Sequence, residues 1–265
     1  MTRAWRKGLA DRPGEAAMGA GVDKNFRQGD TGLMPLTEIP TFPIPNQFSR
    51  IRELRVAREP MRLALNALSV SRQPRGEGRH VVVLPGFGTN DSSTIIVRSY
   101  LARLGYQVSG WGLGVNTGDV ETQLRQTLDN VEQRHRKVGE RVSLVAWSLG
   151  GVIAREVARD RPELVGSVVT FGTPLYGPRH TATSMSQQSP QRDAIEEQII
   201  ERSARPITRP VTSIYSRNDG VVSWQACVDP DPATNNVEVQ SSHFGLGIDP
   251  DVLKVVAKAL HRADR

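Results

Sequence analysis

Short apolar segments that alternate with helical patterns constrain the fold of this sequence more than any other feature. The segment VVVL at 81–84 is rich in β-branched residues and ends at Pro85-Gly86, as is typical of a strand buried on both faces. Comparable strands are predicted at 106–111, 141–147, 164–172, 211–216 and 237–240, and helices at 93–104, 119–138, 149–159 and 249–264. This alternation favours an α/β fold in which helices flank a mostly parallel central sheet.

The sequence before residue 80 has a different character and is predicted to be a basic N-terminal extension. We place this extension at 1–79 and the α/β domain at 80–265. Within the extension, helical spacing at 47–70 predicts a helix that Pro60 should kink or divide. The first 80 residues hold 14 Lys and Arg and 8 Asp and Glu, whereas the rest of the chain holds 20 of each. The extension therefore either contacts an anionic surface peripherally or forms a solvated arm.

Several classes of protein are disfavoured by what the sequence lacks. No apolar run approaches the roughly 20 residues that span a bilayer, and no apolar segment follows the first basic residues, so we expect a cytoplasmic protein. Cys227 is the only cysteine, which excludes an intrachain disulfide and a cysteine metal cluster. The five histidines show no ligand spacing, so no metal site is expected. No nucleic-acid partner is expected either.

A long insertion interrupts the alternation of strands and helices at about 176–209. It is rich in Ser, Gln, Thr and Arg and contains one predicted helix near 190–204. Insertions of this length between two strands usually serve function, so we interpret it as a lid-like cap.

The strand at 141–147 runs directly into Ser148-Leu149-Gly150-Gly151 and then into a helix. A strand, a tight turn and a helix in this order are the setting of a nucleophilic serine. Small residues two positions before and after the serine allow the strand and the helix to approach closely. Ala146 occupies the first of these positions, where glycine is usual, and Gly150 occupies the second. The alternative is that Ser148 merely caps the helix.

A serine on such a turn is followed in sequence by an acid and then by a histidine. Asp219 follows the strand at 211–216, and His243 follows the strand at 237–240. We therefore predict that His243 acts as the base and that Asp219 orients it. Asp229 and Asp231 are the alternative acids, although no strand directly precedes them.

Acyl chemistry at a serine also requires hydrogen-bond donors for an oxyanion. We predict that these are the backbone N–H groups of Leu149, next to the serine, and of Phe87, in the loop after the first core strand. The glycines of that loop, Gly86 and Gly88, permit unusual backbone geometry.

The segments LPGFG, AWSLGG, FGTPLYG, YSRNDGVV and SSHFGL, in this order, resemble the α/β-hydrolase lipases and esterases, in particular small bacterial lipases of the triacylglycerol-lipase type. The resemblance covers about residues 80–262. It implies an α/β-hydrolase fold and hydrolysis of small-molecule or lipid carboxylic esters (EC 3.1.1) through an acyl-enzyme, without a cofactor. It also implies that Thr173 and Pro174 shape the substrate site. Gly86 and Trp147, which adjoin the oxyanion loop and the serine, complete the predicted substrate-binding set.

Two other functions remain open at this stage. The same three residues serve acyltransferases, which pass the acyl group to an alcohol or amine instead of water. A non-catalytic binding protein with this fold is the second alternative, although the presence of all three residues argues against it.

Overall fold

A computed structural model of the protein describes residues 36–45, 51–182 and 190–263. All of them fall within one compact unit, Met34–Arg265. Most of the basic extension, including its first 35 residues, lies outside the described residues. The predicted contact with an anionic surface therefore stays a prediction.

Six strands form the central sheet. They are β1 (His80–Leu84), β2 (Gln107–Gly110), β3 (Val142–Trp147), β4 (Val165–Phe171), β5 (Val211–Ser216) and β6 (Asn235–Val239). Their order is β2-β1-β3-β4-β5-β6, and every neighbouring pair is parallel. Each strand predicted from the sequence is present, with ends that differ by at most two residues. Because the strands are parallel, the loops that follow them meet at one edge of the sheet.

Seven α-helices accompany the strands in the described part of the chain: α1 (Glu59–Leu65), α2 (Ala67–Ser71), α3 (Ile95–Arg103), α4 (Val120–Val138), α5 (Leu149–Asp160), α6 (Pro190–Ser203) and α7 (Pro250–Arg262). Asp119 and Asp249 cap α4 and α7 by accepting hydrogen bonds from backbone N–H groups of the first turn. None of the helices in the described ranges is both long and apolar enough to cross a membrane.

Two apolar layers cover the sheet. On one face, α2, α3 and α7 pack against the strands, and on the other face α4 and α5 do so. Val81 and Val83 of β1 enter the first layer, whereas Val82 and Leu84 enter the second. The continuous apolar run in this strand thus reflects burial on both faces, as predicted.

The helical part of the N-terminal extension packs onto this core. A 3₁₀-helix, Arg52–Arg58, leads into α1, and Pro60 lies in the first turn of α1, where its missing N–H requires no partner. Val70 of α2 is buried in the core, and its carbonyl accepts a hydrogen bond from the hydroxyl of Tyr100. The predicted boundary at residue 80 therefore does not separate this segment from the α/β core in space.

The insertion at 176–209 carries α6 and a short 3₁₀-helix, Pro178–His180, while residues 183–189 lie outside the described residues. The extended segment 36–45 packs beside it. The backbone N–H of Leu36 donates to Ser203 Oγ at 2.8 Å, and the ring of Phe42 lies 5.6 Å from that of Tyr176.

The packing of α5 on the sheet gives a prediction for stability. Ile153 is fully buried in α5, so Ile153→Ala should lower the free energy of unfolding by about 2–5 kcal/mol, measured by urea denaturation. The matched control is Ile95→Ala, because the Ile95 side chain is 51% exposed and its loss should change stability by about 0.5 kcal/mol or less. Equal losses in the two variants would contradict the packing described here.

Candidate active site

Ser148 lies on the sharp turn between β3 and α5 with strained backbone angles. Its φ of 53° and ψ of −125° fall outside the regions that residues with a side chain normally occupy. Such strain persists only where surrounding contacts impose it. Here the N–H of Ser148 donates to Phe171 O at 3.0 Å, and the hydroxyl of Thr173 donates to Ser148 O at 3.0 Å. The end of β4 therefore holds the turn from both sides.

The small residues on either side of Ser148 allow the neighbouring backbone segments to pack closely. A Cβ atom on Gly150 would lie 2.5 Å from Pro85 O and 3.0 Å from Leu84 O. The start of α5 thus presses directly against the backbone at the end of β1. Ala146, which departs from the usual glycine, is fully buried in register with Leu84 and Thr170.

Asp219 and His243 lie together at the same edge of the sheet. Nδ1 of His243 is 2.7 Å from Oδ2 of Asp219, and both side chains are almost completely buried. Oδ1 of Asp219 accepts two further hydrogen bonds, from the N–H groups of Val221 at 2.8 Å and Val222 at 2.7 Å. The carboxylate is therefore fixed in orientation, and it presents one oxygen to the histidine.

Burial lowers the pKa of His243, but the charge of Asp219, the hydrogen bond to Asp219 and the charge of Glu53 together outweigh it. The resulting pKa of His243 lies above the ordinary value of 6.5. An imidazole beside a fixed carboxylate in this way is a stronger base than an isolated one.

The histidine also lies close to the serine turn. The rings of His243 and Trp147 are 5.4 Å apart, and Trp147 directly precedes Ser148. Among the described residues no hydrogen bond joins Ser148 Oγ to the His243 ring. In enzymes that use a serine and a histidine, this bond is often long without substrate and shortens when substrate binds.

The two alternative acids lie elsewhere. Asp229 is buried in an ion pair with Arg155 of α5 at 2.6 Å and also accepts a hydrogen bond from Thr234. Asp231 accepts a hydrogen bond from the N–H of Ala233 in its own turn. The structure thus brings Asp219, and neither alternative, to the histidine.

The predicted oxyanion donors lie beside the serine. Phe87, Ser148 and Leu149 line one cavity. Leu149 is the first residue of α5, so its N–H has no partner within the helix. The N–H of Phe87 enters no hydrogen bond within the described residues. The next residue, Gly88, donates to Asn116 O at 2.7 Å, while Asn116 Nδ2 donates to Pro85 O at 3.0 Å. The buried Asn116 therefore shapes this loop, which the sequence patterns did not indicate.

The cavity beside Ser148 is narrow, with a volume of about 40 Å³. Apart from Ser148 and Thr181, its described lining is apolar or glycine. Ile195 and Ile199 of α6 form part of the wall, so the insertion borders this cavity. Whether it moves as a lid stays a prediction. The described lining is Phe87, Val120, Ser148, Leu149, Val152, Pro174, Gly177, Pro178, Thr181, Ile195, Ile199, Val221 and Val222.

Of the four residues predicted to bind substrate, Pro174 lines this cavity. Gly86 lies behind the serine, because a Cβ atom on it would be 3.2 Å from Ser148 Cβ. Trp147 and Thr173 are buried and support His243 and the serine turn, as described above. Substrate contact by Gly86, Trp147 and Thr173 therefore stays a prediction.

Other residues that hold the loops of the site in place belong to no sequence motif. Ser216, the last residue of β5, donates its hydroxyl to Ser241 O and accepts hydrogen bonds from the N–H groups of Asn218 and Ser241. It ties the loop of the acid to the loop of the histidine. Gly172 has a φ of +59°, and a Cβ there would lie 3.1 Å from the His243 ring.

Burial raises the pKa of the Cys227 thiol well above its ordinary range, which keeps it protonated and poorly nucleophilic. The described residues contain no cluster of three or more His, Cys, Asp or Glu side chains that suits a metal ion.

Comparison with known proteins identifies the fold class of this chain. No protein-family model and no curated protein matches the sequence. Among solved structures, lipase B of Aspergillus fumigatus superposes with a TM-score of 0.57 at 15% identity over 70% of this chain and 53% of that one. The mature lipase BlEst2 of Bacillus licheniformis gives 0.56 at 14% identity over 71% and 94%. A structure from a report on the metagenome-derived lipolytic enzymes LipS and LipT gives 0.54 at 16% identity over 72% and 96%.

These likenesses confirm the predicted fold class. The chain has the α/β-hydrolase fold, with a parallel six-stranded sheet flanked by helices. It spans about half the length of the Aspergillus lipase.

The close approach of α5 to β1 gives a prediction. Alanine normally stabilises a helix interior by about 1 kcal/mol relative to glycine. At residue 150 we expect the opposite, a loss of about 1–3 kcal/mol in the free energy of unfolding, because the added methyl group meets backbone carbonyl oxygens. Thermal unfolding of Gly150→Ala measures this loss.

The control for Gly150→Ala is Gly247→Ala, where the added Cβ would find its nearest neighbour at 4.0 Å. This variant should unfold close to the wild-type temperature. A Gly150→Ala protein as stable as wild type would show that α5 does not press on β1 as described.

Proposed function

We propose that this protein is a serine hydrolase that cleaves carboxylic esters through an acyl-enzyme on Ser148. The observation that carries the proposal is the joint placement of a strained, cavity-lining serine and a buried Asp219–His243 pair at one edge of the sheet. The fold of lipases is consistent with this chemistry, although a fold alone does not determine a function.

In the first half of the proposed reaction, His243 Nε2 accepts the proton of Ser148 Oγ as that oxygen attacks the ester carbonyl carbon. The carbonyl oxygen becomes an oxyanion and accepts hydrogen bonds from the N–H groups of Leu149 and Phe87. The tetrahedral intermediate then collapses. The bond to the alkoxy oxygen breaks, His243 returns the proton to that oxygen, and the alcohol leaves.

In the second half, water attacks the acyl-enzyme while His243 accepts one of its protons. The second tetrahedral intermediate releases the carboxylic acid, and the proton returns to Ser148 Oγ. Asp219 keeps Nδ1 of His243 protonated, so that Nε2 is free to act as base, and it stabilises the imidazolium that forms twice per cycle. The apolar cavity wall, including Val152 and Ile199, favours an apolar acyl group.

The proposal predicts that a fluorophosphonate probe labels the wild-type protein but not Ser148→Ala. With p-nitrophenyl esters, Ser148→Ala should lower kcat by about 10⁶-fold, and Asp219→Asn should lower it by about 10⁴-fold. The matched control for the acid is Asp229→Asn, which removes the ion pair with Arg155 and leaves His243 and its partner in place.

Absence of labelling in a folded wild-type protein would reject the serine hydrolase and favour the non-catalytic alternative. Equal kcat values for Asp219→Asn and wild type would reject Asp219 as the acid. Adding an alcohol during turnover and measuring the new ester formed would separate an acyltransferase from a hydrolase.

The raised pKa of His243 gives a further prediction. The base must be neutral in the free enzyme, so kcat/KM should fall as the pH drops through the pKa of His243. Because this pKa is raised, the acidic limb of the profile should lie above pH 6.5. Initial rates between pH 5 and 9 measure the limb, and a midpoint at or below 6.5 would contradict the electrostatics described above.

A further inference from the structure

The carboxylate of Glu53 reaches the active site from the N-terminal 3₁₀-helix. Its Oε1 accepts hydrogen bonds from the N–H of Gly220 at 2.7 Å and from the N–H of His243 at 2.9 Å. Its Oε2 accepts one from the N–H of Phe244 at 2.9 Å. One side chain thus binds the backbone of both loops that carry the Asp219–His243 pair.

These three N–H groups have no other hydrogen-bond partner within the described residues. A buried donor that loses its partner costs about 1–3 kcal/mol, and hydrogen bonds to a charged acceptor are among the stronger ones. Gly220 directly follows Asp219, and the bond at residue 243 is made by the histidine's own backbone. The carboxylate therefore acts within one residue of each member of the pair.

Three neighbouring arginines fix the segment that carries Glu53. Arg52 donates to Arg217 O in the loop after β5, and Arg58 donates to Gln240 O in the loop after β6. Arg62 forms an ion pair with Asp249 at 2.6 Å. Glu53 is therefore held between the two loops and is not a freely moving surface carboxylate.

The charge of Glu53 also acts on the histidine. Burial lowers the pKa of His243, whereas Asp219 and then Glu53 raise it. Two other charged groups near this site are paired. Glu59, which lies beside Gly245, is bound by Arg58 and Arg62, and Arg217 is bound by Glu238.

We infer that Glu53 is a positioning residue of the active site. Its carboxylate holds the loop of Asp219 and the loop of His243 together by hydrogen bonds and places a negative charge near the base. The part of the inference that concerns turnover rests on the proposed function. The part that concerns the state of His243 does not.

The decisive experiment compares Glu53→Gln with wild type by NMR titration of the His243 ring, assigned with His243→Gln. The glutamine oxygen can still accept the hydrogen bonds of Gly220 and His243, whereas its amide nitrogen cannot accept that of Phe244. The negative charge is lost, so the pKa of His243 should fall. This readout requires no turnover and is independent of the proposed function. A purely structural role, in which Glu53 only attaches the N-terminal segment, predicts an unchanged pKa.

Activity supplies the second readout, with kcat expressed per serine titrated by a fluorophosphonate so that misfolded protein is not counted. We expect kcat to fall by about 10-fold in Glu53→Gln and by about 10²-fold in Glu53→Ala, since small displacements of catalytic groups have effects of that size. The acidic limb of kcat/KM should move to lower pH in Glu53→Gln.

The matched control is Glu163→Gln, which removes an exposed carboxylate paired with Arg161 just before β4, at the opposite edge of the sheet. It should leave both readouts at wild-type values. An unchanged pKa of His243 in Glu53→Gln, or the same change in Glu163→Gln, would overturn the inference. If the pKa of His243 falls in Glu53→Gln while no probe labels the wild-type protein, the inference is supported and the proposed function is rejected.

Discussion

The contact between the start of α5 and the end of β1 determines where the rest of the site can lie. Only a glycine at 150 allows this approach, and the approach forces Ser148 into backbone angles that cost about 1–3 kcal/mol. Apolar side chains on both faces of the sheet, together with the hydrogen bonds from Ser148 to the end of β4, offset that strain. From this strained turn Ser148 lines the cavity.

Backbone N–H groups then orient the carboxylates of Asp219 and Glu53 around this turn. Asp219 accepts two of them and Glu53 accepts three, so both carboxylates are oriented by the chain itself. Ser216 adds hydrogen bonds between the same two loops. These hydrogen bonds hold the two loops in one arrangement beside the strained turn of Ser148.

Much of this arrangement was predictable from the sequence for physical reasons. Continuous apolar segments such as VVVL and VSLVAW indicate strands that are buried on both faces, as in a parallel sheet covered by helices. Parallel strands end at one edge, so the order of Ser148, Asp219 and His243 along the chain was sufficient to expect them together. These patterns predicted an α/β fold with a mostly parallel sheet, and the resemblance to lipases and esterases implied the α/β-hydrolase fold in particular.

The remaining features were not predictable because they depend on contacts distant in sequence. Glu53 lies in a stretch rich in arginine, which a sequence alone presents as a solvated basic face. Asn116 and Ser216 are single polar residues whose partners are backbone atoms, and backbone partners leave no motif. The boundary predicted at residue 80 followed a real change in composition, but composition does not report that α2 and the 3₁₀-helix pack against the core.

The hydrogen bonds that Glu53 accepts have a consequence for how this protein folds. Its three hydrogen bonds span 167, 190 and 191 residues, so they join segments that are synthesised far apart in time. Contacts of such long separation form slowly, because the entropy of closing the loop is lost before they stabilise anything. The sheet core can assemble as its strands emerge from the ribosome. The loops of Asp219 and His243 reach their final geometry only after the segment that follows β6 has been synthesised.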